Sequence, residues 1–320
     1  MNRLLLANVD YRGHTSDEGD QFQRGLEHAG WQLAGAGYGD GCRDVPQLLR
    51  RYRPQAVVCH DKRDFSPDSP GCFRRDIGFR DLGALRDSSA FKACIVKDAG
   101  SVRNYHRAFC EEIGTDAVIV YYDPEAVVAL NPWITAYRLV RTYHSVDGDL
   151  CGSIDLTGSR ARAVVTGALS AVYPIRMRVV QAATNNPDLG ISVIGHPGYR
   201  NDGTHTPRYL SMLARYKVHV ATASKYGFAL RKIIESVAMG CTPVTDLPER
   251  DVLPEIDGAL VRIAPDCSVR DVTAAVELAD RQWNLEERLY WAEKARRWYD
   301  WRAMGLRLDV ALRTLAGELA

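Results

Sequence analysis

The chain has 320 residues, enough at about 150 per domain for two domains. With 46% apolar and 25% charged residues it reads as a folded globular chain, which excludes collagen, disordered and mucin-like classes. The net charge of +1 names no partner by itself, and no apolar run approaches the roughly 18 residues that span a bilayer.

Candidate elements follow in chain order. Short apolar runs at residues 3–8, 32–35, 56–60, 93–97 and 117–122 read as strands. Amphipathic stretches at 18–29, 45–52, 79–87 and 103–113 read as helices between them. Thr15 with Glu18 suggests a capping box at the first helix, and Asp123-Pro124 a cap followed by proline at the first helical position. A second series follows, with strands at 161–166, 191–195, 218–221, 242–245 and 259–263. Its helices are expected at 175–183, 207–215, 230–239 and 271–279. Strand–helix alternation predicts α/β architecture with parallel, doubly wound sheets. The Gly-, Ser- and Asp-rich stretch at 144–160 marks the boundary between domains 1–148 and 149–320. The tail from Glu286 is helical, with Trp291, Trp298 and Trp301 as packing residues, and its last helix is a candidate to cross back to the other domain. Two such domains would face a cleft, with ligands outside the carboxyl ends of the strands.

The eight cysteines include no C-x-x-C pair and no neighbouring histidine pair, so no metal site is expected. Cys59 and Cys94 lie in strand-like runs as small buried groups. Reduced cysteines and the lack of a leader-like start at Met1-Asn2-Arg3-Leu4 suggest a cytoplasmic protein. Charge is unevenly spread: residues 156–234 hold 11 Lys and Arg against Asp188 and Asp202, a block that should attract anions.

Three segments of that block carry the chemistry. In Ser224-Lys225-Tyr226-Gly227-Phe228-Ala229-Leu230-Arg231-Lys232-Ile233-Ile234-Glu235, continuing to Gly240, the residues Leu230, Ile233, Ile234, Val237 and Ala238 form one apolar helical stripe. Arg231, Lys232 and Glu235 fall on the opposite side. The loop with Lys225 and Tyr226 leads into the helix N-terminus, where backbone N–H groups favour an anion. The plainer alternative is a surface helix with a weak Arg231–Glu235 pair. The second segment runs from Thr166-Gly167-Ala168 to Tyr173-Pro174-Ile175-Arg176, a strand, a small-residue loop and a helix start. A cation at Arg176 opposes the helix dipole unless an anion binds beside it. In the third, His196 follows a strand directly, as a phosphate or sugar donor or as an ordinary loop histidine.

The run Gly227-Phe228-x-Leu230 with Lys232-x-x-Glu235-x-x-Ala238-x-Gly240-x-x-Pro243-Val244 resembles the donor-site helix of GT-B glycosyltransferases of the group 1 class. The loop from Thr166 to Arg176 is similar to the first loop of their C-terminal domain. The resemblance spans roughly residues 162–244; the first half matches only in its α/β rhythm. It implies a metal-independent hexosyl- or pentosyltransferase using a nucleotide sugar, such as a UDP sugar, as co-substrate and no other cofactor. Glu235 would hydrogen-bond the nucleotide ribose. Lys232 would neutralise the diphosphate, with Arg176 and the Thr166–Gly167 backbone beside it. The first acid of the related E-x-x-x-x-x-x-x-E pattern is missing, since Gly227 stands there.

An inverting enzyme also needs a base for the acceptor proton. Asp98 is the first candidate and Asp61 the second, with Asp10, His14 and His144 also at strand ends. The acceptor is open: residues 62–107 hold ten cations against six acids, a surface that would suit a polyanion. The resemblance implies DNA with a hydroxymethylated base as one acceptor and a small molecule or glycan as another. A nucleotide-sugar 2-epimerase of the same fold and a non-catalytic two-domain ligand binder are the competing readings.

Overall fold

In a computed structural model, residues 2–7, 18–35, 41–60, 79–97, 99–100, 103–195 and 205–318 are described. The chain divides into two compact units. One comprises residues 1–12, 19–143 and 302–320, and the other 13–18 and 144–301.

The first unit holds a six-stranded parallel sheet of β1 (Arg3–Ala7), β2 (Gln32–Gly35), β3 (Ala56–His60), β4 (Phe91–Val96), β5 (Ala117–Val120) and β6 (Arg138–Arg141), in the order β2-β1-β3-β4-β5-β6. Its inner strands are nearly continuous apolar runs because both faces are covered. Leu5, Val57, Val58, Cys94, Ile95, Val118 and Ile119 are all fully buried. The helices between are α1 (Glu18–His28), α2 (Val45–Tyr52), α3 (Gly83–Arg86), α4 (Arg103–Ile113) and α5 (Pro124–Leu130). Asp44 caps α2 by accepting from Gln47 N at 2.7 Å. Asp123 caps α5 through Ala126 N at 3.2 Å, with Pro124 in the first turn as the sequence predicts. Thr15 lies outside the described residues. The helix expected at 79–87 shrinks to α3, because Asp81 takes a left-handed conformation (φ 56°) just before it.

After α6 (Gly148–Gly152), the second unit forms a five-stranded parallel sheet. Its strands are β7 (Ala161–Gly167), β8 (Ile191–Gly195), β9 (Tyr216–Val220), β10 (Thr242–Thr245) and β11 (Val261–Arg262), ordered β11-β10-β9-β7-β8. Helices α7 (Pro174–Asn185), α8 (His205–Leu213), α9 (Arg231–Ala238), α10 (Val269–Gln282) and α11 (Leu285–Trp298) follow in turn. Chain order reverses between β7 and β9, so their carboxyl ends form the topological switch point where doubly wound sheets bind ligands. Ala163 and Val165 of β7 and Val218 and Val220 of β9 pack with Ile175 and Val179 of α7 and Val272 and Val276 of α10. Strand alternation turns Thr166 and His219 to the other face.

The last helix, α12 (Trp301–Leu315), groups from Arg302 onward with the first unit. Its Asp309, almost buried, accepts from Trp31 Nε1 at 2.8 Å and from Arg3. Trp301 is buried and Trp298 packs on Tyr299, as expected of packing residues.

Candidate functional site

The candidate site lies at the switch point of the second unit's sheet. β7 ends in Thr166-Gly167, and Gly167 has φ +104°. A Cβ there would sit 2.2 Å from Lys232 Nζ and 2.9 Å from Arg176 Nη1. Two cations therefore converge on one stretch of bare backbone, and only glycine leaves room for them.

Each cation is held by the fold. Pro174 starts α7, and Arg176 follows in the first turn, where no side chain caps the helix. Arg176 is buried; its guanidinium donates to Ala168 O at 2.7 Å and Thr222 Oγ1 at 3.2 Å, bridging the loops after β7 and β9. It lies 4.0 Å from the Tyr173 ring centroid. Burial lowers its pKa, and the tyrosines and Asp246 only partly oppose this. Lys232, in the first turn of α9, donates to Thr166 Oγ1 at 3.2 Å. Burial pushes its ammonium down to about 8; Arg176 adds to the effect and Glu235 opposes it. Among the described residues neither cation is in an ion pair. Their charge is aimed at the Gly167 loop rather than consumed by a carboxylate.

The two loops are tied by a bond from Lys225 N to Val172 O at 2.9 Å. The Lys225 side chain is exposed, 5.0 Å from the Tyr226 ring centroid. Glu235 is buried and pairs with Arg231 at 3.1 Å. The Arg231–Glu235 pair of the surface-helix alternative is present, but Glu235 is buried and Arg231 and Lys232 are half-buried, so α9 is not a plain surface helix. At Gly227, φ +71° and Pro248 at 3.0 Å from any added Cβ make the missing acid of the longer motif a strained fit. Thr166, Gly167, Arg176 and Lys232 thus meet at one place, with Arg231 and Glu235 on the adjoining helix. Asp61, Asp98, His196, Asp10 and His14 lie outside the described residues. His144 is buried with Nδ1 3.4 Å from Glu18.

Sequence reasoning missed His219, Tyr209, Ser236 and Thr222, all buried or packed around Thr166, Lys232 and Arg176. The one available signal was a histidine inside the apolar strand Tyr216–Val220. Among the described residues no group of three or more His, Cys, Asp or Glu is placed to hold a metal ion, and no helix is long and apolar enough to cross a membrane.

No protein-family model and no curated protein matches the chain. Solved structures do. A sucrose-phosphate synthase from Thermosynechococcus elongatus superposes with a TM-score of 0.58 at 12% identity, over 99% of this chain and 100% of that one. A glycosyltransferase from Rickettsia africae gives 0.56 at 9% identity, covering 100% and 99%. An α-glucosyltransferase solved with UDP and a 13-mer DNA containing an HMU base gives 0.54 at 9%, covering 98% and 99%. The chain has the GT-B fold. At these identities the likeness speaks for architecture, so the chemistry has to be argued from the residues.

Proposed function

We propose that the chain is a glycosyltransferase that moves a sugar from a nucleotide-activated donor to a hydroxyl acceptor. One observation carries this reading: Lys232 and Arg176 converge over the Gly167 backbone at the switch point of a GT-B sheet. Glycosyl transfer expels a diphosphate, and negative charge grows on the leaving oxygen as the bond breaks. Fixed cations in a partly dry site stabilise that charge without having to reorganise. Lys232, Arg176 and the uncapped starts of α7 and α9 would supply this stabilisation with no bound metal. Glu235, buried beside Lys232, would take the ribose hydroxyls. Asp98, two residues beyond β4, is the proposed base for the acceptor proton, with Asp61 second.

A hydroxyl on DNA is the acceptor to test first. The supports are the structural neighbour solved with DNA and the eleven cations within residues 156–234. Small-molecule and glycan acceptors form the other arms of the same test.

The experiment incubates the protein with UDP, GDP and ADP sugars, with and without hydroxymethylated DNA, glycan or small-molecule acceptors. Acceptor-dependent release of the nucleoside diphosphate is the expected result. Acceptor-free isomerisation of the sugar would instead identify an epimerase, and tight binding with no turnover a non-catalytic binder.

A further inference from the structure

Below Gly167 lies a closed ring of hydrogen bonds whose direction can be worked out atom by atom. The Ser236 hydroxyl donates to Lys232 O, because a carbonyl only accepts. Its oxygen must then accept from His219 Nδ1, which therefore carries a proton. On the other side, Lys232 Nζ donates to Thr166 Oγ1 at 3.2 Å, because an ammonium accepts nothing. His219 is fully buried, and burial, then Lys232 and Arg176, hold its pKa well below the ordinary value. A neutral ring with its proton on Nδ1 leaves Nε2 as an acceptor. Thr166 Oγ1, 3.0 Å away, must donate to it. The Tyr209 hydroxyl, 3.1 Å from the same oxygen, then donates to Thr166. The ring closes through the Lys232 side chain, Thr166, His219, Ser236 and the Lys232 backbone.

We propose that His219 is a positioning residue: as a neutral Nδ1–H imidazole it draws the Thr166 hydroxyl proton toward itself, so that Thr166 accepts from Lys232 and fixes the ammonium over Gly167. One ammonium hydrogen is committed to Thr166, leaving two for phosphate oxygens. The part that concerns phosphate rests on the donor reading given above; the ring does not. Charged and titratable groups near the ring are Lys232, Arg176, Tyr209 and Glu235. A protonated His219 would donate to Thr166, compete with Lys232 and place another positive charge beside it.

Two readouts test this. The first is nitrogen-15 NMR of the imidazole. It should show the Nδ1–H tautomer for His219, with no titration near the usual value of about 6.5. An Nε2–H tautomer, or ordinary titration, would overturn the proposal. The second is calorimetric binding of UDP across pH to folded wild type, His219→Gln, His219→Phe and Thr166→Val. A Gln carbonyl can accept from Thr166 where Nε2 did. Loss of the acceptor or of the hydroxyl should weaken UDP binding roughly ten-fold, with Gln recovering most of it. The pH midpoint of binding should also move in the Phe and Val variants and stay in Gln. A purely structural histidine would lower melting temperatures yet leave UDP affinity and its pH midpoint unchanged, which would overturn the proposal. Should His219→Phe fail to fold, the Gln and Val variants decide. Absence of nucleoside diphosphate binding in wild type would refute the donor reading and the phosphate part with it, while the NMR result still decides the ring.

Discussion

Lys232 is half-buried, so solvent screens its charge less than it would at the surface. The unfolded chain binds a proton at this side chain up to about 10.5, and the folded chain only up to about 8. Between those values the unfolded state holds more protons, so this residue makes stability rise with pH across that window. A bound diphosphate favours the ammonium. Affinity for UDP should therefore be high below about pH 8 and fall as pH rises through it, measured by calorimetry; a flat profile from pH 7 to 9.5 would contradict the assignment. Removing the ammonium as Lys232→Ala should cut turnover by ~10²-fold or more, since the charge matters most as the leaving group departs. At Glu235, substitution by Ala should weaken nucleotide binding by about 1–3 kcal/mol, the scale of a charge-assisted hydrogen bond. Circular dichroism would show whether freeing the paired Arg231 disturbs the fold.

At the scale of elements, helix starts are set by side chains that can be tested singly. Asp123→Ala removes the side-chain acceptor that caps α5 and should cost about 1 kcal/mol in urea denaturation. This cap was legible in the sequence, as were the first five strands; β1, β3, β4 and β5 were legible because a strand covered on both faces is apolar along nearly its whole length. β6 was not, since its four residues begin and end in arginine. α9 was half legible. Its apolar stripe follows from periodicity, but sequence cannot show that Glu235 is buried and Lys232 half-buried, because what covers them comes from other parts of the chain. Periodicity likewise placed Thr166 at the end of a strand. It could not supply His219 as its partner, because the partnership depends on β7 and β9 lying side by side despite the β8 strand between them in sequence.

At the scale of the molecule, two parallel sheets share one chain whose last helix belongs with the first of them. The tryptophans hinted at that return, but the anchor is Asp309, an ordinary acid in a helical pattern. It meets Arg3 and Trp31, nearly the whole chain away. Asp309→Ala should destabilise the first unit by about 1–3 kcal/mol by leaving buried donors unsatisfied, seen as a lower melting temperature. UDP affinity should hardly change, because the residues proposed to bind the donor lie in the second unit. The central claim is that the second unit holds a diphosphate over Gly167 between Lys232 and Arg176. Its most direct test is calorimetric titration of UDP, GDP and ADP into wild type and Gly167→Ala, whose added Cβ would lie 2.2 Å from the Lys232 ammonium and push it aside. The account predicts saturable binding of at least one diphosphate by wild type and a loss of roughly ten-fold or more in the variant; no binding by wild type, or equal binding by both, would contradict it.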